Sequence, residues 1–343
     1  MKVKLVDVCT CESSNLKQSD VINISGKYPV YGATGKIGYI DTYKQEKTYI
    51  AIVKDGAGIG RTHLCDSKSS VIGTLQYILP KDNVLPEYLF YVIKHMHLEK
   101  YYSGATIPHI YFKNYKNEEF NLDSINKQET IIYILNDCNK LINLKETQLQ
   151  KYDDLIKARF VEMFGDPIDN SKKLVTVSLK DVLALKAGDF TEASNIFEEP
   201  SNSHPYPCYG GNGIRGFVSE YNQVGEYSLI GRQGALSGNV QYAKGKFKNT
   251  EHALLVTPLV QMNSIWLNQL LINLDLKRYQ TGAAQPGISV KNLQEIQIIM
   301  VPITEQNRFA DFVQQVDKSK LAVQQSLEKT QQLFDSLMQE YFG

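Results

Sequence analysis

From Asn126 to Phe164 the chain contains no Gly or Pro, and its apolar positions recur with a helical period. Ile131, Leu135, Cys138, Ile142, Lys145, Leu149, Tyr152, Ile156, Arg159 and Met163 follow one another in alternating steps of four and three, the spacing of a coiled-coil seam. A second seam with the same steps runs through Phe309, Val313, Val316, Lys320, Val323, Leu327, Thr330, Phe334, Leu337 and Tyr341. The polar members do not coincide in the two seams: Ile142 stands where the second has Lys320, and Lys145 where it has Val323. Such residues fix register or orientation at some cost in stability. About 38 residues of helix extend roughly 57 Å, too far for the core of one small globular unit. A lone seam serves equally as an arm or a dimerisation coil; two in one chain favour pairing within the chain, and an antiparallel pair would put one globular part at each end of a rod. Gly165 is the expected C-terminal cap of the first helix, and Asp166-Pro167 ends it.

The remaining sequence has a different texture. Short apolar runs such as Thr48-Tyr49-Ile50-Ala51-Ile52-Val53 and Val71-Ile72-Gly73-Thr74-Leu75-Gln76-Tyr77-Ile78-Leu79 alternate with glycine clusters, which predicts strands of a curled mixed sheet. Pro86 opens one helical stretch, Glu87 to Lys100, with Leu89, Val92, Ile93 and Met96 at helical spacing. Ser264 to Lys277 is its counterpart.

That correspondence is general. At an offset of 178 residues, Tyr28-Pro29-x-Tyr31-Gly32-x-x-Gly35-x-x-Gly38 meets Tyr206-Pro207-x-Tyr209-Gly210-x-x-Gly213-x-x-Gly216. The same shift pairs Gly56 with Gly234, Gly60 with Gly238, Pro80 with Pro258, Gly104 with Gly282, Pro108 with Pro286, and Phe164-Gly165 with Phe342-Gly343. Near the start the second copy carries extra residues before Tyr206. The chain is a tandem repeat whose unit includes the long helix. The expected fold is α+β: two similar globular parts joined by two long helices in a coiled coil, which has pseudo-two-fold symmetry if the helices pair antiparallel. Its expected divisions are residues 1–125, helix 126–165, linker 166–175, residues 176–302 and helix 303–343.

Composition narrows the function classes. The 343 residues are 43% hydrophobic and 22% charged, an ordinary globular balance. No apolar run is long enough to span a bilayer, and the N-terminus has no apolar signal core, which points to the cytoplasm. Cys9, Cys11, Cys65, Cys138 and Cys208 show no paired spacing and do not form a disulfide framework. Lys and Arg number 37, as do Asp and Glu, so any basic footprint is local or shared with a partner.

No catalytic constellation emerges. Gly211-Asn212-Gly213-Ile214-Arg215-Gly216 fits the letters of a dinucleotide fingerprint, but that signature needs a following helix and Phe217 onward reads as strand. Gly35-Lys36 fails as a phosphate-binding loop, because Val30 and Ile37 occupy its required positions. The histidines His63, His95, His97, His109, His204 and His252 lack metal-ligand spacing, so no metal site is expected. The informative differences lie between the copies. Within the shared glycine frame, Lys36-Ile37 stands against Ile214-Arg215, Lys54-Asp55 against Arg232-Gln233, Arg61 against Asn239, His63 against Gln241 and His109 against Gly287. Arg, Lys, Asn and Gln are the side chains that read base edges, and Lys, Ser and Thr commonly hold phosphate. The candidate DNA contacts are therefore Lys36, Lys54, Arg61, His63, Thr106, His109 and Lys113 in the first copy. In the second they are Arg215, Arg232, Gln233, Asn239, Gln285 and Lys291.

The repeated Y-P-x-Y-G-x-x-G-x-x-G, the segments Ser103 to Ile110 and Thr281 to Ile288, and Gln128 and Gln306 opening the long helices resemble the DNA-specificity subunit of type I restriction-modification systems. The resemblance covers essentially the whole chain. It implies two target-recognition domains, each reading one half of an asymmetric bipartite sequence in double-stranded DNA, with the helices forming an antiparallel coiled-coil spacer that sets half-site separation. It also implies docking of two adenine methyltransferase subunits and, in some assemblies, restriction subunits that translocate and cut. Cofactors would then belong to partners, S-adenosylmethionine to the methyltransferase and ATP with Mg to the restriction subunit, and this chain would be non-catalytic. An autonomous methyltransferase or nuclease, and a coiled-coil protein scaffold, are the alternative readings.

Overall fold

The computed structural model describes every residue except 23–24, 57, 105–107 and 283–285. Its contacts divide the chain into two units, Met1–Glu146 with Gln325–Gly343, and Thr147–Gln324.

The first unit runs β1 (Lys2–Lys4), α1 (Leu5–Val8), β2 (Cys9–Ser13), β3 (Tyr28–Gly32), β4 (Gly35–Ile40), β5 (Tyr49–Val53), β6 (Thr62–Cys65), β7 (Ser70–Val71), β8 (Leu75–Pro80), α2 (Pro86–His95), α3 (Phe112–Tyr115), β9 (Glu119–Asn121) and the start of α4 (Ile125–Phe164). Strands order as β2-β8-β5-β6 in one sheet and β4-β3-β7 in another, and β1 pairs with β9. Every residue of β5 is buried, so both faces of this strand are covered. The period of two sorts them: Ile50 and Ile52 join the core beneath α2 with Leu89, Val92 and Ile93. Tyr49, Ala51 and Val53 join a second core with Val30, Val71 and Tyr77.

The second unit holds the rest of α4, then β10 (Thr176–Ser178), α5 (Leu179–Val182), β11 (Leu183–Ala187), β12 (Tyr206–Gly210), β13 (Gly213–Val218), β14 (Gln223–Gly231), β15 (Val240–Asn249), β16 (Ala253–Pro258), α6 (Ser264–Asn273), α7 (Val290–Gln294), β17 (Gln297–Ile299) and the start of α8 (Ile303–Phe342). Its sheet is a single run of six strands, β11-β16-β14-β15-β12-β13. The period of two again separates Ile230, Leu254 and Val256 beneath α6 from Leu229, Ala253 and Leu255 on the other face.

The units are alike in bonding as well as order. Parallel pairing of Val30 with Ser70 is matched by Cys208 with Lys248, and the irregularity after Val30 by one after Cys208. Continuous β15 corresponds to β6 and β7 together; in the first unit residues 66–69 interrupt the strand, with Lys68 at φ 54°. The expected helices over Glu87–Lys100 and Ser264–Lys277 are shorter than their apolar spacing suggested. His97 at φ 50° and Asp275 at φ 46° are left-handed and start a separate short turn in each unit. A left-handed residue cannot continue a right-handed helix.

Each unit contains its own stretch of the paired long helices. In the first, Ile131, Leu135, Cys138 and Ile142 of α4 are buried with Phe334 and Met338 of α8. Tyr88 and Tyr91 of α2 lie against Phe342 and Phe334, with ring centroids 5.4 and 6.3 Å apart. In the second unit, Ile156, Phe160 and Phe164 are buried with Phe309, Val313 and Val316. The early part of α4 thus meets the late part of α8, and the late part meets the early part, which makes the pair antiparallel. Leu149 and Leu327 are half-buried. Phe160 and Phe164 lie off the seam yet are fully enclosed, because the second unit's globular core covers this end of α4 on a wider arc. Gly165 at φ +78° caps α4, its N–H donating to Val161 at 2.8 Å.

Candidate DNA-recognition interface

Three loops meet at one edge of each unit; backbone hydrogen bonds fasten two of them in the same way in both, and side chains tie in the third. In the first unit these are the β3–β4 tip, the β5–β6 connection and the segment from Ser103 to Ile110. Gly56 N–H donates to Pro108 at 3.0 Å, Ile110 N–H to Lys54 at 2.9 Å, and Gly60 N–H to Val53 at 2.9 Å. In the second unit, Gly234 N–H donates to Pro286 at 2.8 Å, Ile288 N–H to Arg232 at 2.9 Å, and Gly238 N–H to Gly231 at 2.8 Å. Ser103 and His109 exchange both backbone bonds, as do Thr281 and Gly287. The invariant part of the repeat is therefore a backbone cradle, and its side chains are free to differ.

In the first unit Arg61 Nη1 donates to the Ala33 carbonyl at 3.0 Å, and His63 Nε2 lies 3.1 Å from the same oxygen. Both hold the β3–β4 tip at Ala33, and Arg61 remains exposed. His109 donates from Nδ1 to Asp55 Oδ1 at 2.6 Å, and its ring stacks on Tyr111 with centroids 6.3 Å apart. Lys113 continues this chain, its ammonium 5.3 Å from the Tyr111 centroid. Lys54 is half-buried and contributes through its backbone. Lys36 is exposed on β4, 3.4 Å from Asp66 Oδ2 and over the rings of Tyr31 and Tyr39.

In the second unit Asn239 Nδ2 donates to Asn212 Oδ1 at 3.0 Å, which joins the β14–β15 connection to the β12–β13 tip. Gln233 Oε1 accepts from His252 Nδ1 at 3.0 Å, and His252 Nε2 faces Glu251 Oε1 at 3.0 Å. Arg215 is exposed on β13, and half-buried Arg232 holds the cradle through its backbone. Lys291 is exposed on α7, outside this set of contacts. Thr106 and Gln285 lie outside the described residues.

Asp55, Asn212 and His252 are the members that sequence comparison passed over. Asp55 was visible as a substitution against Gln233, but nothing local announces a partner 54 residues away. His252 corresponds to Thr74 in the repeat, so the comparison of copies gives it no signal.

Gly211 to Gly216 sits on the turn between β12 and β13 and leads into strand, with no helix to present a dipole to phosphates. Among the described residues no group of three His, Cys, Asp or Glu is placed to hold a metal ion. No helix among them is long and apolar enough to cross a membrane. Burial pushes the Cys9 and Cys65 thiols up to about 12, and that of half-buried Cys11 to about 11, which favours the protonated form. The edge offers donors, acceptors and positive charge on a rigid backbone, the chemistry of recognition.

Residues 1–151 and 171–332 both match the type I restriction modification DNA specificity domain. The type I restriction enzyme EcoprrI specificity subunit of Escherichia coli is 38% identical over 175 residues, which is 51% of this chain and 42% of that protein. A putative type I restriction enzyme specificity subunit of Haemophilus influenzae is 30% identical over 103 residues, 29% of this chain and 27% of that protein. The matched stretches thus span less than half the length of these two relatives. Among solved structures, a type I restriction-modification S subunit from M. genitalium shares the fold with a TM-score of 0.65 at 18% identity, covering 100% of this chain and 96% of that one. A chain from a structure concerned with assembly and conformational transition of the type I R-M system has a TM-score of 0.54 at 15% identity, covering 99% and 97%. With both copies of its repeat matched, the chain belongs to the type I restriction modification DNA specificity family.

Proposed function

We propose that this chain is the non-catalytic, sequence-reading subunit of a type I restriction-modification assembly in the cytoplasm. Each unit reads one half of an asymmetric bipartite site in double-stranded DNA, and the α4–α8 pair sets the spacing and docks two methyltransferase subunits. Restriction subunits join the same frame. Adenine methylation draws on S-adenosylmethionine held by the methyltransferase, and cleavage on ATP with Mg held by the restriction partner.

The observation that carries this reading is the duplicated cradle. The same backbone bonds hold two crossing loops in both units beside the glycine-framed tip, while the side chains these loops present differ, with Asp55 against Gln233, Arg61 against Asn239 and His109 against Gly287. Two unlike readers on one repeated frame suit two unlike half-sites. The equal count of 37 basic and 37 acidic residues limits how many phosphates the chain can neutralise alone. Partner subunits therefore supply part of the phosphate contact.

The isolated chain should bind duplex DNA weakly and lose affinity steeply between about 50 and 200 mM salt. The complex with methyltransferase should bind more tightly and select one bipartite site. Methylation mapping of DNA from cells carrying both subunits tests the reading: a single two-part asymmetric motif is expected. Methylation without such a motif, or equal affinity with and without the partner, contradicts it.

A further inference from the structure

Position 55 and its repeat counterpart, position 233, occupy the same place in the cradle. Each immediately precedes a left-handed glycine, Gly56 at φ +90° and Gly234 at φ +83°, and a Cβ built on either glycine meets nothing within 4 Å. The backbone here borders open space. Each residue also bridges to the loop that crosses it, Asp55 to His109 and Gln233 to Gly287.

Both side chains are steadied by a histidine that comes from a different element in each unit. His109, on the crossing segment, donates to Asp55 Oδ1 at 2.6 Å. His252, on the turn before β16, donates to Gln233 Oε1 at 3.0 Å. Among the described residues, Asp55 Oδ2 and the Gln233 amide nitrogen carry no hydrogen bond. The arrangement is thus repeated in function though not in sequence: an oxygen is anchored, and the other end of the planar group is left to act. The Asp55 side chain is 30% exposed, so it is reachable from solvent while its orientation is held.

We infer that Asp55 and Gln233 are the paired specificity-determining residues, Asp55 accepting from the amino group of a cytosine and Gln233 pairing with an adenine. The inference rests on the DNA-reading function proposed above. A carboxylate offers only acceptors, which suits cytosine N4 in the major groove. A carboxamide offers a donor and an acceptor side by side, which suits adenine N7 and N6. His252 leaves the second lone pair of the Gln233 oxygen available, so steadying and reading are compatible.

The test is methylation mapping of genomic DNA with the full chain and its methyltransferase, comparing wild type with Asp55→Asn, Asp55→Gln and Gln233→Asp. Asp55→Asn keeps the shape of the side chain and serves as the variant least able to disturb folding. Both Asp55 variants should change one base position of one half-site from C·G toward A·T, by a preference on the order of 10-fold to 100-fold. Gln233→Asp should change one position of the other half-site, and each variant should leave the remaining positions as in wild type. An unaltered motif in all three variants overturns the inference and leaves the DNA-reading function standing. Loss of methylation at every sequence by both Asp55 variants, in chains that still fold, also overturns it, because a reader of one base pair does not gate all sites. Absence of any two-part motif in wild type would instead overturn the function on which the inference rests.

Discussion

Gln128 and Gln306 each carry an amide into an apolar core, with 0% and 1% of the residue exposed. Gln128 accepts from Leu85 N–H at 2.8 Å and donates to the carbonyls of Asn83 and Asp123. Gln306 accepts from Asn263 N–H at 2.9 Å and donates to Val301 at 2.8 Å. Each thereby ties the first turn of a long helix to the entry of α2 or α6, where unpaired backbone groups would otherwise be buried. Gln128→Leu should destabilise the chain by about 3 kcal/mol in urea unfolding, because it orphans those groups, whereas Glu129→Leu on the exposed face should change it by less than about 0.5 kcal/mol. The glutamines were legible in the sequence as a repeated helix opening, but their partners were not, since the hydrogen bonds close between residues 43 apart in each unit. The thiols give a prediction with a definite sign. Burial raises Cys9 and Cys65 to about 12, while in the unfolded chain a thiol ionises near about 8.5. The unfolded state then loses protons first, so the thiols' contribution is complete below about pH 8.5 and declines as pH rises above it. Thermal unfolding followed from pH 7 to 10 should show a melting temperature that falls above about pH 8.5, and less steeply in Cys65→Ala.

At the scale of elements, the two seams were the most legible feature, because a period of alternating fours and threes has no competing explanation over such a length. Leu135 is fully enclosed between α8 and the first unit's core, and Leu135→Ala should cost about 2–5 kcal/mol. The polar seam members find partners: Lys145 donates to Thr330 Oγ1 at 2.9 Å, and Lys320 lies 2.5 Å from Asp153 Oδ1. Strand lengths were harder to read. Glycine clusters suggested short strands throughout, yet Gly225 sits directly opposite Gly245 inside the long β14–β15 ladder, where both take a positive φ, 133° and 77°, without breaking it. The matching stretch of the first unit is broken instead at residues 66–69, where Lys68 adopts φ 54° without the licence of glycine. Lys68→Gly removes that strain and should stabilise the chain by about 1 kcal/mol, seen as a higher urea midpoint. A lysine in the left-handed region leaves no trace in composition or period, which is why this break was invisible beforehand.

On the scale of the whole molecule, one repeat builds both the loop-bearing edge and the long helix that follows it, and the family match falls on both copies, residues 1–151 and 171–332. Contacts divide the chain differently, giving the first unit the end of α8 and the second the end of α4, because each helix stretch belongs to the core that covers it. The shared frame and the differing tips were both present in the repeat, so the family was legible where individual contacts were not. The central claim is that the globular parts carry sequence choice and the helices do not. Its most direct test replaces residues 1–125 with the corresponding part of a second specificity subunit of known target, in the presence of methyltransferase, and maps methylated adenines across the genome. The account predicts a hybrid motif, one half-site exchanged and the other retained. A motif unchanged by the exchange would contradict it.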